Sequence, residues 1–259
     1  CRKNSPLDGV RRQIELDDSV DAGIWAEMAD LGWLGITIPE QYGGLGLSLA
    51  DVVPIIESMG RHLMGSPYAS TVLAANALVV PGSETQKNHW LPQIASGAVA
   101  SIALTEEDGN WRLKEIQTQG VVAGGALTLT GKKCFVLDAP KAAVIVVSAM
   151  IDSAPRLVLV QADQLPANAL TRETVIDETR RSYTLDLDGV TVPAEQILDA
   201  ADFASIEQAA LLLLTAEMAG GLAGVLHVIV DYLTTRKQFD QYIGSYQSLK
   251  HPSVQILLS

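Results

Sequence analysis

The sequence lacks the marks of a disulfide-stapled, nucleic-acid-binding or metal-holding protein. Its 259 residues contain two cysteines, Cys1 and Cys134, too few for a disulfide framework. A reducing, cytoplasmic compartment is the default expectation from that count. Basic residues are outnumbered 18 to 30, for a net charge of −12. That balance argues against a nucleic-acid binder, which needs a basic face for phosphates; an acidic surface of this kind serves solubility. No run reaches the ~18 uninterrupted apolar residues of a membrane span. The nearest approach, residues 209–230, is broken by Glu217 and His227. No signal peptide is visible. His62, His89, His227 and His251 show no metal-ligand spacing, and no serine–histidine or cysteine–histidine arrangement stands out. Gly43-Gly44-Leu45-Gly46 lacks the preceding strand and following helix of a dinucleotide fingerprint, so it reads as a loop.

What is present divides into three parts. Residues 1–97 read as a helical domain. Ile24, Met28 and Leu31 make a one-sided apolar stripe, with Asp21 placed to cap it. Pro39 and the following glycines break the pattern. Ser48 is the expected cap of the next helix, starting at Leu49-Ala50-Asp51 and carrying Val52, Ile55, Ile56 and Met59. Residues 69–80, and then the stretch from Ser83 to Ile94, predict two more helices. Residues 98–200 change to short β-type runs at 121–122, 127–129, 135–137, 144–147, 157–160 and 183–185, punctuated by Gly124-Gly125, Asp138-Ala139-Pro140 and Asp188-Gly189. Short strands at this spacing predict a small sandwich or barrel. Residues 201–259 return to helix. The run from Ala204 to Arg236 is apolar around much of its circumference, and such a helix is normally buried between others. Fifty-nine residues cannot bury it alone, so further helices or another subunit are expected to cover it.

Four blocks in this helix–β–helix order carry a resemblance. Residues 31–48 (LGWLGITIPEQYGGLGLS), Ala103-Leu104-Thr105-Glu106, residues 186–195 (DLDGVTVPAE) and residues 232–247 (YLTTRKQFDQYIGSYQ) resemble, in order, conserved segments of the acyl-CoA dehydrogenase family. The resemblance implies an α+β architecture with an N-terminal helical domain, a central β-barrel domain and a C-terminal helical domain. It also implies FAD as cofactor, dimers or tetramers, and removal of two hydrogens from adjacent carbons of an acyl-CoA thioester. In that chemistry a glutamate takes the α proton, hydrogen bonds to the thioester carbonyl stabilise the enolate-like transition state, and the flavin accepts the hydride.

The same resemblance assigns the cofactor residues. Thr105 matches the threonine at the flavin pyrimidine edge, with the Leu104 backbone beside it. Phe135 matches the aromatic residue that covers the flavin, and Leu137 stands where a hydroxyl usually bonds N5. Asn110-Trp111 stands where the family has a small Gly-Ser pair. Arg236, Gln238, Phe239, Ile243 and Gln247 match the segment that crosses a dimer interface and holds the pyrophosphate and adenine end of a neighbour's FAD. Arginine offers phosphate a planar fork of donors. Asp240 replaces the usual glycine there. For most of the family the catalytic glutamate lies beyond this chain's last residue. The minority position, counted back from Arg236, is Ala210, followed by Leu211. Neither can act as a base; Glu207 and Glu217 are the nearby carboxylates, and no catalytic residue is assigned.

Three readings remain open. The chain is a non-catalytic subunit that completes the FAD site of a homologous partner, resembling the short, base-less subunits of actinobacterial heteromeric dehydrogenases of sterol side-chain degradation. Or it is an ordinary homotetrameric acyl-CoA dehydrogenase whose last helices are not present here. Or it is a structural paralogue without FAD.

Overall fold

The computed structural model describes residues 1–16, 21–199 and 201–258. The expected domain boundary at residue 200 lies outside the described residues. Asp21 and Ser83 cap helices where the sequence places them. Helix α1 spans Leu7–Glu15. Helix α2 (Ala22–Asp30) begins at Asp21, whose Oδ1 accepts from the amides of Gly23 and Ile24. Ser48 and Asp51 form a capping box over a 3₁₀ turn at Leu49–Asp51, and the α-helix expected there, α3 (Val53–Arg61), starts only after it. The reason is local: Asp51 turns back to accept from the Ser48 amide and hydroxyl. Helices α4 (Tyr68–Val79) and α5 (Glu84–Ala95, capped by Ser83) follow.

The strands are β1 (Ala100–Ala103), β2 (Thr105–Glu106), β3 (Gln119–Ala123), β4 (Ala126–Thr130), β5 (Lys132–Leu137), β6 (Val144–Ile151), β7 (Ala154–Gln161), β8 (Leu170–Arg172), β9 (Ser182–Asp186) and β10 (Thr191–Pro193). Among the described residues they form a six-stranded sheet, β1-β6-β3-β4-β10 with β7 on β6, and a four-stranded sheet, β2-β5-β9-β8. The two face each other across one core in which Leu127, Ile145 and Val158 of the first meet Val136 and Leu185 of the second. Alternating burial along β4, with Leu127 and Leu129 inside and Thr128 and Thr130 outside, is what a sheet with one wet face dictates. The parallel pairings β1–β6 and β3–β6 were not legible beforehand, because they join strands distant in sequence. Thr71 ties the helical part to the sheet, exchanging hydrogen bonds with the Ala100 backbone at 3.1 and 3.2 Å.

Helix α6 runs Phe203–Thr235. It crosses α3 at backbone contact, which glycine allows: a Cβ on Gly220 would lie 1.8 Å from the Glu57 carbonyl oxygen, and one on Gly60 would lie 2.1 Å from that of Glu217. Phe203, Ile206, Leu213 and Ala216 are buried. Leu211, Leu214, Met218, Leu222 and Val225 stay more than half exposed on another face. By length and composition α6 is long and apolar enough to cross a membrane. The expectation of no span rested on Glu217 and His227; in the structure α6 packs one face on α3, and Glu217 forms an ion pair. Beyond it come β11 (Lys237–Gln238), β12 (Gln241–Tyr242) and α7 (Gln247–Leu258).

Candidate functional site

The sequence-assigned residues fall into two groups on separate elements. Leu104, Thr105 and Phe135 gather where β2 pairs with β5. Thr105 is buried opposite Cys134, and the Leu104 carbonyl accepts from Ser148 Oγ at 3.5 Å. Strand β5 carries a register shift between Lys133 and Val136, and Phe135 at its centre has φ +56°. That conformation costs a non-glycine residue energy and needs outside support. Glu173 supplies it: both carboxylate oxygens accept from the Phe135 amide at 3.2 Å, and they also accept from Ser182 Oγ at 2.6 Å and Thr184 Oγ1 at 2.8 Å. The bulge turns the Phe135 ring outward, 44% exposed. Trp111 stacks on it, ring centroids 6.0 Å apart and planes 9° from parallel. Leu137 is half-buried, and its carbonyl accepts from Ser101 Oγ at 2.6 Å.

Beneath this group lies a charged network that sequence reasoning missed. Lys133 is fully buried and pairs with the buried Glu106; Lys133 Nζ also donates to Ser148 Oγ at 2.8 Å. Glu106 Oε2 accepts from the Thr118 hydroxyl at 2.9 Å and its amide at 3.3 Å. Burial pulls the Lys133 ammonium below the ordinary lysine range, against the pull of Glu106. The only available signal was two adjacent lysines entering a strand of otherwise apolar residues.

The second group is a hairpin, not the end of a helix as the sequence reading placed it. Helix α6 stops at Thr235, and Arg236 is its extended C-terminal cap. Lys237 and Gln238 pair with Tyr242 and Gln241. Phe239 and Asp240 form the turn, at φ +53° and +63°. An aspartate tolerates the left-handed conformation that the usual glycine would take, which accounts for Asp240 here. Gly244 does need to be glycine, because a Cβ there would lie 2.8 Å from the Leu233 carbonyl oxygen. Ile243 donates to the Arg236 carbonyl at 2.9 Å, and Gln247 opens α7. Arg236 is exposed and makes no ion pair among the described residues; Phe239 is 88% exposed.

The candidate surrogate bases fare differently. Glu217 forms an ion pair with Arg180, which fastens α6 to the loop before β9. The neighbouring Arg181 donates to the Gln13 carbonyl at the end of α1, so this loop joins three parts of the chain. Glu207 is exposed, and Ala210 is half-buried with no acid or base to offer.

The two groups therefore fit an FAD unequally. The hairpin presents an unpaired guanidinium and an apolar ring to solvent, donors and a wall suited to a dinucleotide's phosphates and adenine. The other group does not fit the isoalloxazine ring, because the Trp111 indole already stacks against Phe135 and Leu137 has no side-chain donor.

Comparison with known proteins places this geometry. Residues 7–98 match the family description "Acyl-CoA dehydrogenase, N-terminal domain". Acyl-CoA dehydrogenase FadE12 of Mycobacterium tuberculosis is 30% identical over 249 residues, covering 90% of this chain and 63% of that protein. A solved variant of the Tcur3481–Tcur3483 steroid ACAD superposes with a TM-score of 0.87 at 30% identity, covering 99% of this chain and 69% of that one. Butyryl-CoA dehydrogenase from Megasphaera elsdenii shares the fold, with a TM-score of 0.86 at 21% identity over 99% of this chain and 71% of that one. The chain thus spans about two thirds of the length of these relatives, helices first, then facing sheets, then the long α6. With the four sequence blocks, the fold and these likenesses in agreement, the chain belongs to the acyl-CoA dehydrogenase family.

Proposed function

We propose that this chain is a subunit of an FAD-dependent acyl-CoA dehydrogenase, α,β-desaturating a thioester, in which it completes the FAD site of a homologous partner and is itself non-catalytic, with Ala210 at the minority base position. The observation that carries this is the contrast between the free, exposed Arg236–Phe239 hairpin and a Phe135 ring that already stacks against Trp111. Ala210 at the minority base position and the pairing of Glu217 with Arg180 support the same reading. A steroid side-chain thioester is the proposed substrate class, on the likeness to a structure described as a steroid ACAD. The apolar stripe that α6 exposes among the described residues suits cover by further helices or by a partner subunit.

The test is flavin content of the complex co-purified with its partner. Arg236→Ala removes a charge-assisted phosphate contact of about 1.5–3 kcal/mol, so FAD binding should weaken by roughly ten- to a hundredfold. Unchanged flavin occupancy would sink the reading. A yellow chain when expressed alone would favour the homomeric enzyme instead, and no flavin in either preparation the structural paralogue.

A further inference from the structure

We propose that Trp111 is a built-in occupant of this chain's own flavin-ring position, closing the Phe135 face to a planar heteroaromatic. The inference rests on FAD being the cofactor class of the complex, as proposed above. Its support is the construction of the pair from both sides. On one side, Phe135 is held at positive φ by the Glu173 carboxylate, which Ser182 and Thr184 fix in turn, so the ring is committed to facing outward. On the other side, the loop that presents Trp111 carries its own hydrogen-bond frame. Gly109, at φ +75°, donates to the Glu106 carbonyl at 2.8 Å and brings the backbone over the Phe135 ring; a Cβ there would lie 3.9 Å from Phe135 Cε2.

The rest of the frame flanks the tryptophan. The Asn110 amide donates to Asp108 Oδ1 at 3.0 Å, and the Arg112 amide to Asn110 Oδ1 at 3.0 Å. Both oxygens of Glu115 are engaged, by Asn110 Nδ2 at 2.7 Å and by Arg112 Nη1 at 3.0 Å. Gln117 Nε2 donates to Asp108 Oδ2 at 2.7 Å. Trp111 is thus the middle residue of the second of two consecutive side-chain-to-backbone turns, and its indole lies nearly parallel to the Phe135 ring. With centroids 6.0 Å apart the stack is offset, and a flavin ring laid parallel on Phe135 would meet the indole.

The Trp111 side chain is 71% exposed, so its removal should leave the fold intact. The test titrates lumiflavin, an isoalloxazine without the dinucleotide tail, into the full chain and follows flavin fluorescence quenching. This readout does not involve Arg236, so its failure and the failure of the half-site reading are distinguishable. Trp111→Ala should bind the ring more tightly than wild type, on the order of tenfold, the worth of one aromatic stack. The double variant W111A/F135L should lose that gain, because the face itself is gone. Equal affinity of wild type and W111A, including no binding by either, overturns the proposal, as does a gain that survives in the double variant.

Discussion

Adjacent glycines on α6 should respond to the same substitution with opposite sign. At Gly220 an added Cβ meets the Glu57 carbonyl oxygen at 1.8 Å, the Glu57 carbonyl carbon at 2.7 Å and the Arg61 amide at 3.0 Å. These are backbone atoms of α3, which cannot rotate aside as a side-chain tip would. To restore even 3.0 Å to the first of them the helices must part by about 1.2 Å, which loosens the core that Ile56, Met59, Leu213 and Ala216 share. Overpacking of this kind costs typically about 1–3 kcal/mol, against a helix-propensity gain of about 1 kcal/mol for alanine over glycine. Because the clash is backbone to backbone, the upper part of that range applies, and Gly220→Ala should lose about 2 kcal/mol net. At Gly221 the nearest atom is the Gly60 carbonyl oxygen at 3.9 Å, so only the propensity gain remains. Thermal melts should therefore show G220A falling by about 4–8 °C and G221A rising by about 2–4 °C. Gly60→Ala, which meets the Glu217 carbonyl at 2.1 Å from the other side, should behave like G220A. If G220A and G221A shift the melt in the same direction, the close α3–α6 crossing is wrong.

The buried Lys133–Glu106 pair should be costly to break from one side. Lys133→Met alone strands a carboxylate and should destabilise by about 3–5 kcal/mol in urea titrations, while K133M/E106Q should recover most of that loss. Since burial lowers the Lys133 pKa, the native state sheds this proton before the unfolded chain does; stability should rise with pH up to the ordinary lysine range, and the double variant should lack that slope. Burial pushes the Cys134 thiol up, and its Sγ donates to the Glu106 carbonyl at 2.9 Å. A thiol reagent at neutral pH should therefore label Cys1 in the native chain and Cys134 only in denaturant; equal rates for the two would contradict the burial.

Much of the helical framework was readable because its signals are local. A capping carboxylate or hydroxyl acts within three residues, so Asp21 and Ser83 mark helix starts in any context. Ser48 likewise caps the helical turn expected at Leu49–Asp51; that turn is 3₁₀, and the α-helix follows from Val53. The short strands β1, β8 and β10 carried no run long enough to mark them, and two of the three pair with strands far away in sequence. At the site, Thr105 and Phe135 could be placed by motif, but the outward turn of Phe135 could not, because it depends on Glu173, thirty-eight residues later. Nor could Trp111 be read as a stacking partner; in sequence it is only a bulky residue where a small one was expected. The helical placement of Lys237 and Gln238 failed for a similar reason: the strand pairing that takes them from the helix is made with Gln241 and Tyr242 across a turn whose positive φ values no propensity announced.

The sequence by itself determined what depends on spacing along the chain: the order of helices, strands and long helix, the absence of a base at Ala210, and the Arg236–Phe239 cluster. Only the tertiary structure decided which charges and rings are already taken. Glu217 is engaged by Arg180, Lys133 by Glu106, and the face of Phe135 by Trp111. Those pairings are made across tens of residues by packed sheets and crossing helices, and a side chain's availability for chemistry is set by what packing brings against it.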